Sequence, residues 1–142
     1  MTGISPVLMH YSTKFNAKFV LHTENVQLGE LPLPYKLVHK KNIGDETRGG
    51  RKLKEHIFHY EVRKEHDGYI EEAIGELCDS LSRLNAEYCT ALSNNSENWI
   101  VIGLLDSEFI EVHVDEELQA EMAKHRMNLS IENRIRQSDE HN

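Results

Sequence analysis

Between Asp67 and Leu92 the apolar residues Ile70, Ala73, Ile74, Leu77, Leu81 and Leu84 recur at helical spacing. No other stretch constrains the fold as much. A helix with a single apolar stripe must bury it against a partner, and the segments around this one alternate with a period of two. In "KFNAKFVLH" Phe15, Ala17, Phe19 and Leu21 share one side, with Lys14, Asn16, Lys18 and Val20 on the other. "YKLVHK" reads as a short strand, and in "EHIFHYEVR" His56, Phe58, Tyr60 and Val62 oppose Ile57, His59 and Glu61. Further on, "WIVIGLL" has the near-continuous apolar character of a strand covered on both faces, which places Trp99 in the core. "FIEVHV" alternates again, "DEELQAEMAKH" forms a short helix capped by Asp115, and "NLSIENRI" closes with Leu129, Ile131 and Ile135 on one side of a strand.

This order specifies an α+β domain: a mostly antiparallel sheet with one long and one short helix packed on one face, of which a ferredoxin-like arrangement is one form. Val26, Leu28 and Leu31 offer at most a helical turn before Pro32 and Pro34 end it. Asp67 is the expected cap of the long helix, with Glu71 and Glu72 at the positive end of its dipole. Gly75 inside that helix points to close packing on a neighbour, and a second short helix or bent continuation runs through Tyr88 to Leu92.

With 142 residues the chain suits a single domain, 1–142, whose ends (1–12 and 136–142) are expected to be poorly ordered. No run approaches the eighteen or so apolar residues of a membrane span, and "PVLM" is too short for a signal peptide. A cytoplasmic location is the expectation. Cys78 and Cys89 would stand ~16 Å apart on a continuous helix, beyond the reach of a disulfide unless the helix breaks, and are read as reduced thiols.

The net charge of −8 is unevenly spread: +4 over residues 1–66 and −12 over residues 67–142. So acidic a chain is a poor binder of nucleic acid, and its negative half suits a basic partner. The basic, glycine-studded "KKNIGDETRGGRK" runs against that trend. Gly44 and Gly49 have the spacing of a phosphate loop, but Gly50 and Arg51 stand where it requires Lys and Ser or Thr, and the flanks read as strands. A long solvated hairpin turn is the favoured reading. Lys40, Lys41, Arg48, Arg51 and Lys52 remain candidates for an anion-binding role, and a small-ligand or phosphate-binding protein or enzyme is the corresponding alternative.

Among nine histidines, His56, His59 and His66 stand near Glu55 and Glu61. Three positions apart on a strand, His56 and His59 face opposite sides and cannot share an ion without a bulge. No metal or other cofactor is expected. No motif for nucleophilic catalysis is present, the thiols sit among apolar neighbours, and nothing selects an acid–base pair from twenty-four carboxylates. No catalytic residue is therefore assigned.

What remains is an acidic ridge. Glu72, Glu76 and Asp79 form a stripe of the long helix, which Arg83 extends by pairing with Asp79, and Glu116, Glu117 and Glu121 charge the short one. Such a stripe is often only a solvated face. Its functional reading is a surface for a cationic protein.

The sequence "LGELPLP" before a basic strand, the pair Gly44-Asp45, the His-aromatic strand "EHIFHYEV", the helix "IEEAIGELCDSL" and the closing "MNLSIENRI" resemble the small bacterial family catalogued as domain of unknown function 4279. The likeness covers residues ~14 to ~135. The family's usual Trp after the Gly-rich turn is replaced here by the region of Phe58 and Tyr60. The resemblance implies a compact α+β domain and assigns no functional residue. The leading expectation is a small acidic binding protein, most concretely an immunity-type protein that neutralises a basic toxin by covering it. A homo-oligomeric structural domain is a further alternative.

Overall fold

The computed structural model describes residues 12–106 and 110–134. The expected poor order of the chain ends falls, apart from Ser12, outside these residues, as does Ile135. In chain order the elements are β1 (Thr13–Thr23), a 3-10 turn (Val26–Glu30), β2 (Lys36–Lys41), β3 (His56–Gly68), α1 (Ile70–Ser82), α2 (Ala86–Asn94), β4 (Ser96–Leu104), α3 (Glu116–Lys124) and β5 (Met127–Asn133). They make an α+β domain on one five-stranded sheet of order β2-β3-β1-β4-β5. The β2–β3, β3–β1 and β1–β4 pairs are antiparallel. Only β4–β5 is parallel. A parallel pair needs a crossover, which the segment carrying α3 supplies.

The core lies between one sheet face and the helices. Phe15, Ala17, Phe19 and Leu21 of β1 meet Phe58 and Tyr60 of β3, Ile100 and Ile102 of β4, and Ile70, Ile74, Leu77 and Leu81 of α1. Every one of these is at most 2% exposed. Three polar groups fasten the layers. Tyr60 donates its hydroxyl to the Leu28 carbonyl at 2.7 Å and accepts from Leu31 N at 3.1 Å, fixing the 3-10 turn. Thr23 Oγ1 donates to the Asn95 carbonyl at 2.6 Å. Asn98, 1% exposed, donates Nδ2 to the carbonyls of Leu92 and His125 at 2.8 and 2.9 Å.

Four sequence expectations change. Asp67 does not cap α1: β3 continues to Gly68 by pairing Asp67 with Lys14, and the cap position falls to Tyr69, which makes no capping hydrogen bond. Residues 110–114 do not form a strand. Both neighbours of β4 are already taken by β1 and β5, so this segment crosses the helix layer, with Ile110 and Val112 packed against the core. Trp99 is not a core residue. It and Val101 are half-buried on the sheet face away from the helices, beside the partly exposed Lys18 and His22, because the strand buries only its alternate residues.

Gly75, finally, does not mark close packing. A Cβ there would meet nothing within 4 Å. Glycine inside a helix costs ~0.5–1 kcal/mol against alanine. Gly75→Ala is therefore expected to stabilise the protein by about that amount and raise Tm by roughly 2–4 °C. An unchanged or lowered midpoint in a thermal melt would show that the space is not free.

Both cysteines are free thiols. The helix does break between them, with α1 ending at Ser82 and α2 starting at Ala86. Burial, and then Glu121, push the Cys78 thiol up to about 11, so it is inert as a nucleophile at neutral pH.

Candidate functional site

Four of the six acids singled out on the helices line one groove. Glu72 and Asp79 of α1 come together there with Glu117 and Glu121 of α3, and Glu71 and Asp115 add two more carboxylates. Gly75, Cys78, His113 and Leu118 complete the lining of a cavity of about 560 Å³. Among the described residues no Lys or Arg lines it.

The local sequence explains the arrangement. Asp115 caps α3 by accepting from Leu118 N at 2.8 Å, so Glu116 and Glu117 follow in the first turn, where the helix dipole favours negative charge. On the opposite wall Glu71 accepts from the backbone N–H of His113 at 2.8 Å and holds the crossing segment against α1. Asp79 is paired with Arg83 at 2.6 Å, both well exposed. The carboxylates of Glu72, Glu117 and Glu121 make no hydrogen bond or ion pair among the described residues.

Glu76 and Glu116 stand apart from this groove. One residue after Gly75, Glu76 is turned by about 100° around the helix. That rotation carries it towards β3, where Arg63 grips it through two bonds of 2.6 and 2.9 Å. The Arg63 guanidinium holds the Glu76 carboxyl below its ordinary range, and Tyr35 donates to it at 3.3 Å. Glu76 therefore ties α1 to the sheet.

The basic candidates occupy a different region. Lys40 and Lys41 end β2, while Arg48, Arg51 and Lys52 stand at an exposed hairpin between β2 and β3. Gly44 and Gly50 take the positive φ values of 93° and 81° that the turn needs. Within that hairpin Gly44 N donates to Leu53 O, Asp45 N to Asn42 O, Thr47 N to Arg51 O, Gly50 N to Thr47 O and Leu53 N to Asp45 O. Asn42 and Arg51 donate to the side chains of Asp45 and Thr47. Most of the hairpin's backbone amides are thus spent on the turn itself, while those of Arg48 and Gly49 at its tip make no hydrogen bond among the described residues.

The histidines divide by face, as the strand period requires. His56 stacks on Phe58, and His66 meets Phe15 edge-on. His59 lies on the face away from the helices. Among the described residues no three His, Cys, Asp or Glu side chains converge in a way that could hold a metal ion. A contact the sequence did not reveal joins Ser82 Oγ to His125 Nε2 at 3.0 Å across 43 positions, tying the turn after α3 to the end of α1.

Burial holds His59 down to about 4, helped by His39, Lys18 and His22. Burial, then Lys124, also lowers His125. Both rings stay neutral in the fold at pH values where the unfolded chain takes up protons. The unfolded state then binds more protons, so stability rises with pH through this window and is lost as pH falls from ~6.5 towards ~4. Between pH 7.5 and 5.5, above the ordinary carboxylate range, urea unfolding is expected to show a loss of about 1 kcal/mol, allowing for solvent at both rings. The double variant His59→Gln/His125→Gln should flatten that slope. A wild-type midpoint independent of pH over this range would contradict it.

Among the described residues no helix is long and apolar enough to cross a membrane. No protein-family model matches the chain, and no match is found among the curated proteins or the solved structures.

Proposed function

We propose that this is a protein-binding domain that receives a cationic segment of another protein in the acidic groove between α1 and α3. The observation that carries this reading is a groove lined, among the described residues, by six carboxylates and no Lys or Arg, with a glycine on the α1 wall and open space where its side chain would be. A solvated acidic face needs neither a concavity nor a helix-weakening residue. Opposite charge speeds encounter, and a cavity of about 560 Å³ has room for one or two basic side chains of a partner. The most concrete form of this reading is an immunity-type protein that neutralises a basic toxin by covering its active surface.

An octa-arginine peptide serves as the minimal cationic probe. Backbone NMR shifts are expected to move at Glu72, Gly75, Glu117 and Glu121, and to fade as salt rises above ~0.15 M. Shifts centred on Glu97 and Glu132, away from the groove, would defeat the assignment. Gly75→Leu, which fills the free space, should remove the response while leaving the fold intact by circular dichroism.

A further inference from the structure

We propose that His39 and His59 form a two-imidazole site for a divalent transition-metal ion of the copper, nickel and zinc class, on the sheet face away from the helices. The two residues are direct register partners on the antiparallel strands β2 and β3. A bulge makes them so. Lys36 pairs with Glu61 and Leu37 with Tyr60, which in unbroken register would set Val38 against His59. The irregularity after Leu37 inserts Val38 as an extra residue and brings His39 opposite His59 instead.

The separation of the rings is compatible with a chelate. Their centroids are 4.7 Å apart with planes tilted by 51°. Imidazole nitrogen lies ~2.1 Å from such an ion, and its own ring centre is a further ~1.1 Å away. Two ligands subtending 90–110° at the ion therefore bring their ring centres to ~4.5–5.3 Å. The observed separation falls inside that range. Neither ring makes a hydrogen bond among the described residues, so both keep a nitrogen available.

Charged side chains of β1, β2 and β3 stand around the pair. Lys18 and His22 of β1 lie near His59, and Glu61 is the register partner of both Lys18 and Lys36. With two protein ligands, the remaining positions belong to water. Imidazole donors favour copper over nickel and zinc in such an open site.

Trp99, the only tryptophan of the chain, provides the readout. It is the register partner of Val20, which is in turn the partner of His59. Two strand spacings, roughly 10 Å, separate Trp99 from His59 and a third separates it from His39, close enough for copper to quench its fluorescence. Untagged protein titrated with copper(II) chloride at pH 7.5 is expected to show saturable quenching at one equivalent. His39→Ala and His59→Ala should each weaken binding by more than tenfold, since losing a ligand costs more than the 10–100-fold typical of losing its outer-shell support. His56→Ala, on the other face, should leave it unchanged. Electron paramagnetic resonance of the unmodified protein supplies a readout independent of any variant, with two equatorial nitrogens expected. Quenching that never saturates, that survives both histidine substitutions, or that accompanies a single-nitrogen signal would overturn the proposal.

Discussion

Replacing three groove acids together, by Glu72→Lys, Glu117→Lys and Glu121→Lys, is expected to abolish measurable binding of a cationic peptide and the protection an immunity-type protein would give. These are the lining carboxylates with no partner of their own among the described residues. Each exposed opposite-charge pair contributes ~0.2–1 kcal/mol, and reversal replaces attraction with repulsion. Three reversals amount to about 2–4 kcal/mol, or roughly 30- to 1,000-fold in affinity at low salt. The deficit should shrink as ionic strength rises. Glu76→Lys is the instructive control, because its carboxylate is held by Arg63 and is expected to lower stability while sparing the groove. Equal loss on reversing the remote Glu97 and Glu132 would mean that only net charge matters, and the groove would lose its claim.

The largest expected loss of stability lies at Asn98. Its buried amide donates to the carbonyls of Leu92 and His125, and so joins the ends of α2 and α3 to the sheet. Asn98→Ala leaves both carbonyls without that donor and opens a small void, at a cost of about 2–4 kcal/mol. Asn98→Asp keeps the size and shape but offers acceptors where donors are required, and buries a charge. It is expected to be worse than alanine at pH 7, despite being the closer replacement. Urea unfolding of the two variants decides the matter: an aspartate variant more stable than the alanine variant would show that volume, not hydrogen bonding, governs this site.

Much of this architecture was legible because period reports burial. The stripe Ile70–Ala73–Ile74–Leu77–Leu81 and the alternation of Phe15, Ala17, Phe19 and Leu21 recur as the two sides of the core. Hydropathy could not say how many faces of β4 are covered, since the shading of Trp99 and Val101 by neighbouring strands depends on strand order. The same limit hid the fate of residues 110–114, whose alternation looks like a strand until both neighbours of β4 are known to be occupied. At the site, the acids themselves could be read from the chain, but not which of them face one another. Glu76 belongs to the same stripe as Glu72 and Asp79, but it lies on the side of that stripe nearest β3, where Arg63 holds it. Gly75 carried the right kind of signal with the opposite meaning: the missing side chain leaves space instead of admitting a neighbour. The His39–His59 pair depends on a bulge that neither strand announces.

The placement of β1 has a consequence for biosynthesis. This strand precedes every other described element, yet it lies in the middle of the sheet, hydrogen-bonded to β3 on one side and β4 on the other. A ribosome must therefore deliver residues as far as Leu104 before Phe15 and Phe19 can be enclosed from both flanks. Until then the nascent segment exposes aromatic side chains and an unpaired edge, a condition that favours slow, non-local closure and early shelter by chaperones.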